Sequence, residues 1–180
     1  MSKVTLGLSA ILGCATELNA ANKAFQTEGY TRFGLTYQDT ANMNQEDGES
    51  TEFFAEEEDD AIDEITKQGT TTFNFSIMDP DLDTIARLFG GEVASNVYAY
   101  PDAVAQKEES VMIIPKKGLC FHVTRGRLKA KFNGDFSKKG LLLLEVSVKV
   151  MKPNTSGVKK IYIKKLTAQE IEDTFASFGK

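Results

Sequence analysis

The chain has no tryptophan, a single histidine and only two cysteines among its 180 residues. Cys14 and Cys120 make no disulfide framework and lack metal-ligand spacing, so they fit buried free thiols in a reducing compartment. His122 lies in an apolar strand pattern with no nucleophile or acid placed to work with it, which favours a structural histidine over a base or ligand. No run approaches the ~18 apolar residues of a membrane-spanning helix. Phosphate loop, dinucleotide fingerprint and nucleophile elbow are all missing. These absences argue against an enzyme and imply no cofactor or metal. No internal repeat or low-complexity segment breaks the chain, and its length suits one domain.

What is present is an uneven distribution of charge. The net charge of -5 conceals 6 Lys+Arg against 21 Asp+Glu in residues 1–114, and 15 against 5 in residues 115–180. The two parts therefore carry -15 and +10. Unless the fold mixes these charges, one surface is acidic and another basic, which suits contacts between unlike faces of neighbouring copies.

The clearest structural signal is TTTFNFSIMDPDLDTIARLFGG, Thr70 to Gly91. Phe73, Phe75 and Ile77 alternate with polar residues, as in a strand with one buried face. The period then changes. Asp79 is placed to cap a helix, Pro80 suits its first position, and Asp81 and Asp83 favour the positive end of its dipole. Leu82, Ile85, Ala86 and Phe89 recur at helical spacing before Gly90 and Gly91 end the helix. A helix this short needs a sheet to pack on.

Around this unit the chain is mostly strand. The N-terminus, with Lys3, a short apolar segment and Ile11-Leu12-Gly13-Cys14, resembles a bacterial lipoprotein signal. Its interruption by Thr5, Gly7 and Ser9 favours instead a first strand with Val4, Leu6 and Leu8 on one face. Residues 16–28 form a polar connection or short helix, and Tyr30 to Tyr37 a second strand. Asp39 to Ser50 is a polar loop long enough to be functional. Phe53 to Ile65 then concentrates Glu56, Glu57, Glu58, Asp59, Asp60, Asp63 and Glu64, without the interposed glycine of a calcium loop. These carboxylates must stay in water or face Lys and Arg.

After an irregular stretch around Pro101, Val111 to Ile114 is a short strand and Leu119 to Phe132 another. In the latter the apolar residues move from odd positions (Leu119, Phe121, Val123) to even ones (Leu128, Ala130, Phe132), and a one-residue bulge at Gly126 accounts for the slip. Arg125, Arg127, Lys129 and Lys131 form a basic ladder on the opposite face; without interleaved aromatic residues it makes a poor nucleic-acid platform. Asn133-Gly134 turns into the strand Leu141 to Lys152, with Leu142, Leu144, Val146, Val148 and Val150 pointing one way. A hairpin around Pro153 to Gly157 leads to Val158 to Lys165. The chain closes in a helix capped by Thr167, with Glu170 as capping-box partner and Ile171, Phe175 and Phe178 along one side.

This order of features, a long polar loop, FFAEEEDD, TTTFNFSI, a short helix ending LFGG, then basic and aliphatic strands, resembles the major tail tube proteins of long-tailed bacteriophages. It is similar, more distantly, to the tube-forming proteins of type VI secretion. The likeness spans residues 30–165. It implies a mainly β (α+β) fold, an antiparallel β-sandwich or small barrel flanked by one central α-helix; the short C-terminal helix and the lipoprotein-like N-terminal segment depart from the family's pattern. It also implies a structural virion protein, made in the bacterial cytoplasm, that assembles into stacked hexameric rings forming a conduit for DNA. The partners implied are the protein itself and other tail proteins at the tube ends. DNA passes without specific binding, and no membrane is involved. Expected inter-subunit contacts are Asn42, Met43, Asn44, Gln45, Glu46 and Asp47 in the polar loop, together with Arg125, Arg127, Lys129 and Lys131. Glu56, Glu57, Glu58, Asp59 and Asp60, with part of Asp102 to Glu109, are expected on the lumen or ring face, because a lining of Lys and Arg would adsorb the DNA. The alternative is a monomeric ligand-binding β-barrel or a lipid-anchored surface protein.

Overall fold

The computed structural model describes residues 5–15, 25–26, 28–54, 56, 60–103, 106–136, 140–167 and 169–171. The chain is mainly β: β1 (Leu6–Ala15), β2 (Thr31–Arg32), β3 (Asn42–Gln45), β4 (Glu49–Phe54), β5 (Ala61–Lys67), β6 (Thr71–Ile77), α1 (Leu82–Phe89), β7 (Glu92–Ala94), β8 (Val97–Ala99), β9 (Lys107–Asn133), β10 (Leu143–Val150) and β11 (Ile161–Leu166). An antiparallel sheet in the order β2-β1-β9-β10-β6-β3, with β11 also paired to β9, curls into a half-barrel. β4–β5 and β7–β8 are separate two-stranded hairpins.

β9 is continuous β structure over 27 residues, yet it is not one straight strand. The Ser110 hydroxyl donates to the Thr124 carbonyl, and Glu108 reaches both Arg125 and Arg127. Fully extended chain would separate Ser110 and Thr124 by roughly 46 Å at ~3.3 Å per residue. The element therefore doubles back near Lys116–Gly118, where Gly118 adopts φ +112°. Its first arm pairs with β1, Ala15↔Glu109 to Leu6↔Lys117. Its second pairs with β11 over Gly118–Val123 and with β10 over Gly126–Asn133.

The curl is completed by residues 31–45. β2 lies on β1, but Gly34 turns the chain at φ +127° so that Thr36 bridges Ile77 and β3 runs along β6. A Cβ at Gly34 would stand 2.8 Å from Ile77 Cγ2, so the crossing needs glycine for its space as well as its conformation. The expected continuous strand Tyr30 to Tyr37 is thus replaced by a two-residue strand, a bend and an isolated bridge.

Two apolar clusters lie on opposite sides of this sheet. The larger joins Ile11, Phe33, Phe73, Phe75, Ile77, Val111, Val123, Leu128, Leu144, Val146 and Val148, with Leu88 and Phe89 of α1 against it. All six sheet residues expected at its centre, Phe73, Phe75, Ile77, Leu144, Val146 and Val148, are buried. The helix presents Leu88 and Phe89 most deeply, while Leu82 and Ile85 are half-buried. Its cap is Asp81, accepting from Thr84 N at 2.6 Å, rather than Asp79; Pro80 precedes the helix, and Asp79 accepts from Leu35 N at 2.6 Å. The expectation fails because two aspartates two residues apart offer equivalent caps, and the link to Leu35 takes the first.

The second cluster covers the reverse face of β1 and β9 with Leu12, Cys14, Tyr30, Met112, Ile114, Cys120 and Ile171. β1 is thus packed on both faces, which explains why Ala10 to Cys14 is a continuous buried run while Leu6 is exposed. Val4 falls outside the described residues, as do Phe175 and Phe178. The slip along β9 is real, since Val123 and Leu128 belong to the same cluster. Pairing with β10 nevertheless runs without a shift from Asn133 to Gly126, so the change of face falls between Val123 and Gly126, where β9 exchanges β11 for β10. The expected hairpin around Pro153 to Gly157 is likewise corrected: β10 and β11 do not pair with each other but with successive stretches of β9. Thr167 and Glu170 form the expected reciprocal capping box, with Thr167 N to Glu170 Oε2 at 2.8 Å and Glu170 N to Thr167 Oγ1 at 3.3 Å.

One polar clamp fastens the helix to the sheet. Arg87 of α1 makes two charge-assisted bonds to Glu109 of β9, at 2.7 and 2.6 Å, donates to the Thr31 hydroxyl, and lies 4.5 Å over the Phe33 ring. It crosses β1 at Gly13, where a Cβ would come within 2.5 Å of Glu109 Oε2 and 2.7 Å of the guanidinium.

Two stability measurements follow. Phe75→Ala should lower the unfolding free energy by about 3–5 kcal/mol in a urea titration, through lost burial and a residual cavity. Arg87→Met should cost about 1.5–3 kcal/mol because Glu109 loses its charged partner. In the Arg87→Met, Glu109→Met pair, part of that loss should return, since no carboxylate is then left unpaired.

Candidate functional site

The expected contact loop divides into two parts with different surroundings. Asn42–Gln45 is β3, an edge strand registered Asn42↔Asn74 to Gln45↔Thr71, and Glu46 N continues the pairing to Thr70 O at 2.9 Å. Gly69 fits beneath Glu46 only because it lacks a side chain, since a Cβ would meet the Glu46 carbonyl at 1.9 Å. Asn42, Met43, Asn44, Gln45, Glu46 and Asp47 are exposed. They lie against the sheet edge rather than on a free loop.

The β4–β5 hairpin stands apart from the main sheet. Every residue of Glu49–Phe54 and Ala61–Lys67 is exposed, with Phe53 at 48%, Phe54 at 58%, Ile62 at 61% and Ile65 at 53% of their full area. Large apolar side chains normally bury such surface. The register places Phe53 and Ile65 on one face, and sets Glu52 directly opposite Glu64, an unfavourable like-charge pair. Ser50 donates to Glu64. Glu56 and Asp60 are exposed beside the hairpin end, whereas Glu57, Glu58 and Asp59 lie outside the described residues. No alternation in the sequence signals this hairpin; a pattern of exposed phenylalanines beside carboxylates is its one trace.

The basic ladder lies on the outer sheet face, and most of it is satisfied within the chain. Arg125 and Arg127 bracket Glu108 at 2.7 and 3.0 Å. Burial pushes the Glu108 carboxyl up, but the two guanidiniums outweigh it and hold the group below its ordinary value. Lys131 meets Glu145 at 2.9 Å. Lys129 has no ion pair among the described residues, and its row crosses four strands as Lys129, Ser147, Asn74 and Asn42. Glu108 lies in the stretch Asp102 to Glu109 expected in part on the lumen or ring face; its pairing with Arg125 and Arg127 could not be read from sequence because it depends on β9 doubling back.

A concave groove of about 650 Å³ opens on the curled sheet between β1 and β3. Phe73, Phe75, Ile113 and Phe121 contribute to its wall, with Arg32 and Lys116 among its polar residues. Among the described residues, no group of three His, Cys, Asp or Glu could hold a metal ion. No described helix is long and apolar enough to cross a membrane.

His122 belongs to the second core. It is fully buried, with Nε2 2.7 Å from the Tyr30 hydroxyl, Nδ1 without a partner, and the rings of Phe25, Tyr30 and Tyr162 around it. Burial lowers its pKa from 6.5 to about 4, and burial likewise pushes the nearby Cys120 thiol up to about 12, far from a reactive thiolate. Below pH 6.5 the unfolded chain takes up a proton that the folded chain refuses until about pH 4, so stability falls as pH drops through this window. The loss should reach on the order of 3 kcal/mol. Chemical denaturation of His122→Gln at a series of pH values should show a shallower slope between these limits; an unchanged slope would assign the acid sensitivity elsewhere.

No protein-family model matches this chain, and no curated protein matches it.

Proposed function

We propose that the chain is a structural subunit that assembles with copies of itself into stacked rings forming a tube, the conduit of a bacteriophage tail. The observation that carries this reading is the β4–β5 hairpin. It stands off the sheet with four large apolar side chains exposed and like charges opposed, and an isolated two-stranded hairpin is marginal in water. A neighbouring copy would supply the missing packing surface. Two further features support it. β3 leaves an exposed edge able to pair with another strand, and the acidic and basic parts of the chain suit head-to-tail contacts that repeat. An acidic hairpin on the channel side would let DNA pass without adsorption, the passing DNA making no specific contact. In this reading the protein resides in the virion, with other tail proteins at the tube ends.

The groove favours a second reading, a monomeric ligand-binding β-barrel or lipid-anchored surface protein. Electron microscopy of the purified protein separates the two. Tubes or rings support assembly, and monodisperse monomers under the same conditions overturn it.

Deleting residues 51–65 should leave the thermal unfolding midpoint of the subunit nearly unchanged while abolishing polymerisation, because none of the hairpin's described residues belongs to either core; tubes of normal length after the deletion would contradict the proposal. Assembly should also weaken as salt rises to ~0.5 M, where screening acts within ~5 Å. Lys129→Glu should impair assembly more than folding, since a single exposed charge contributes only about 0–1 kcal/mol to stability but recurs at every interface. Sedimentation of parent and variant across that salt range checks both points, and identical profiles would remove Lys129 from the contact.

A further inference from the structure

The groove between β1 and β3 and the β4–β5 hairpin are both left uncovered in the single chain, and their chemistries match. The groove floor is apolar, with Phe73, Phe75, Ile113 and Phe121 in or against the larger core. At its rim Leu35, Met43 and Leu119 expose between 39 and 48% of their area. Met43 stands directly opposite Phe73, and Leu119 lies two residues from Phe121 in the same strand, so both share the face that carries the core rings. Lys165 pairs with Leu119 on that face, and Lys116 lines the groove beside Gly7. Both lysines are exposed, and neither has an ion pair among the described residues. Asp39, the one acidic residue of the described lining, accepts from Gln38.

The hairpin offers the complement. Its register sets Phe53 opposite Asp63 and Thr51 opposite Ile65, so one face carries two large apolar side chains and a carboxylate, all exposed. We propose that the groove between β1 and β3 is the seat of this hairpin face from a second copy, with Phe53 and Ile65 on the Met43–Leu119 rim and Asp63 meeting Lys116 and Lys165. The inference rests on the reading that the chain assembles with itself, and it names the two surfaces that meet. A small ligand would fill the groove and leave the hairpin bare, whereas a second copy covers both. Because the two surfaces differ, the contact is head-to-tail and repeats rather than closing in a pair. Glu52 and Glu64, on the hairpin's other face, stay outside it.

The test is sedimentation velocity of two full-length variants, alone and mixed. Phe53→Ser with Ile65→Ser removes the apolar hairpin face and keeps the groove; Met43→Glu spoils the groove and keeps the hairpin. All three positions are exposed, so both variants should unfold at the parent temperature. Ala41→Trp, also exposed and lining the groove, replaces Met43→Glu if the latter fails to fold. Each variant alone should stay monomeric where the parent polymerises, and an equimolar mixture should form one-to-one dimers through the single hairpin–groove pair left intact. Adding Asp63→Lys to the Met43→Glu chain should weaken that dimer about tenfold, and Lys116→Glu with Lys165→Glu in its partner should restore it. If the parent polymerises but the groove variant does so equally, or the mixed variants stay monomeric, the groove is not the seat and assembly itself still stands. A dimer that Asp63→Lys leaves unchanged overturns the charge match. A parent that stays monomeric throughout overturns assembly and this contact together.

Discussion

The seating of α1 on the half-barrel depends on the bidentate contact between Arg87 and Glu109. Those two side chains tie α1 to β9, while the same guanidinium bonds Thr31 of β2, covers Phe33 and crosses β1 at Gly13. Elements distant in sequence meet around one planar cation. Arginine suits this place because its fork matches a carboxylate and its face stacks on an aromatic ring, neither of which lysine offers. The clamp also holds α1 at the angle that puts Leu88 and Phe89 into the larger core.

From that point the sheet separates into regions with different exposure. β1 and the first arm of β9 are covered on both faces, so their apolar residues run consecutively, and the Ser110 hydroxyl buried there donates to the Thr124 carbonyl of the second arm. β6 and β10 pack on one face only. Their reverse side carries Asn74, Ser147 and Lys149 and stays wet, giving the alternation expected of a half-solvated antiparallel strand. The division follows from what covers the sheet: Phe25, Tyr30 and Ile171 lie over β1 and β9, leaving the polar faces of β6 and β10 towards solvent.

The surfaces proposed for assembly grow out of the parts this core does not use. The β4–β5 hairpin branches from the edge formed by β3 and β6, which carries its acidic residues away from the Glu108-bracketed arginines on β9. Charge separation along the chain therefore survives in part as separation in space. It is tempered by β9, where Glu108 neutralises two members of the basic ladder and Glu145 a third, so that Lys129 has the ladder's most available charge.

The sequence by itself determined the strands and helix whose burial follows a simple period. Phe73 to Ile77, Leu144 to Val148, the helix through Phe89 with its glycine stop, and the Thr167–Glu170 box all rest on local chemistry, in which a residue's neighbours in sequence decide its face or its hydrogen bonds. Only the tertiary structure decided the rest. The choice of Asp81 over Asp79 as cap turned on Leu35, more than forty positions away, and the fate of Arg125 and Arg127 on β9 reversing to bring Glu108 beneath them. The hairpin's exposure was hidden for the same reason: phenylalanine and isoleucine beside carboxylates fit an edge strand equally well, and whether such residues find a covering surface depends on the three-dimensional path of the chain, which periodicity does not encode.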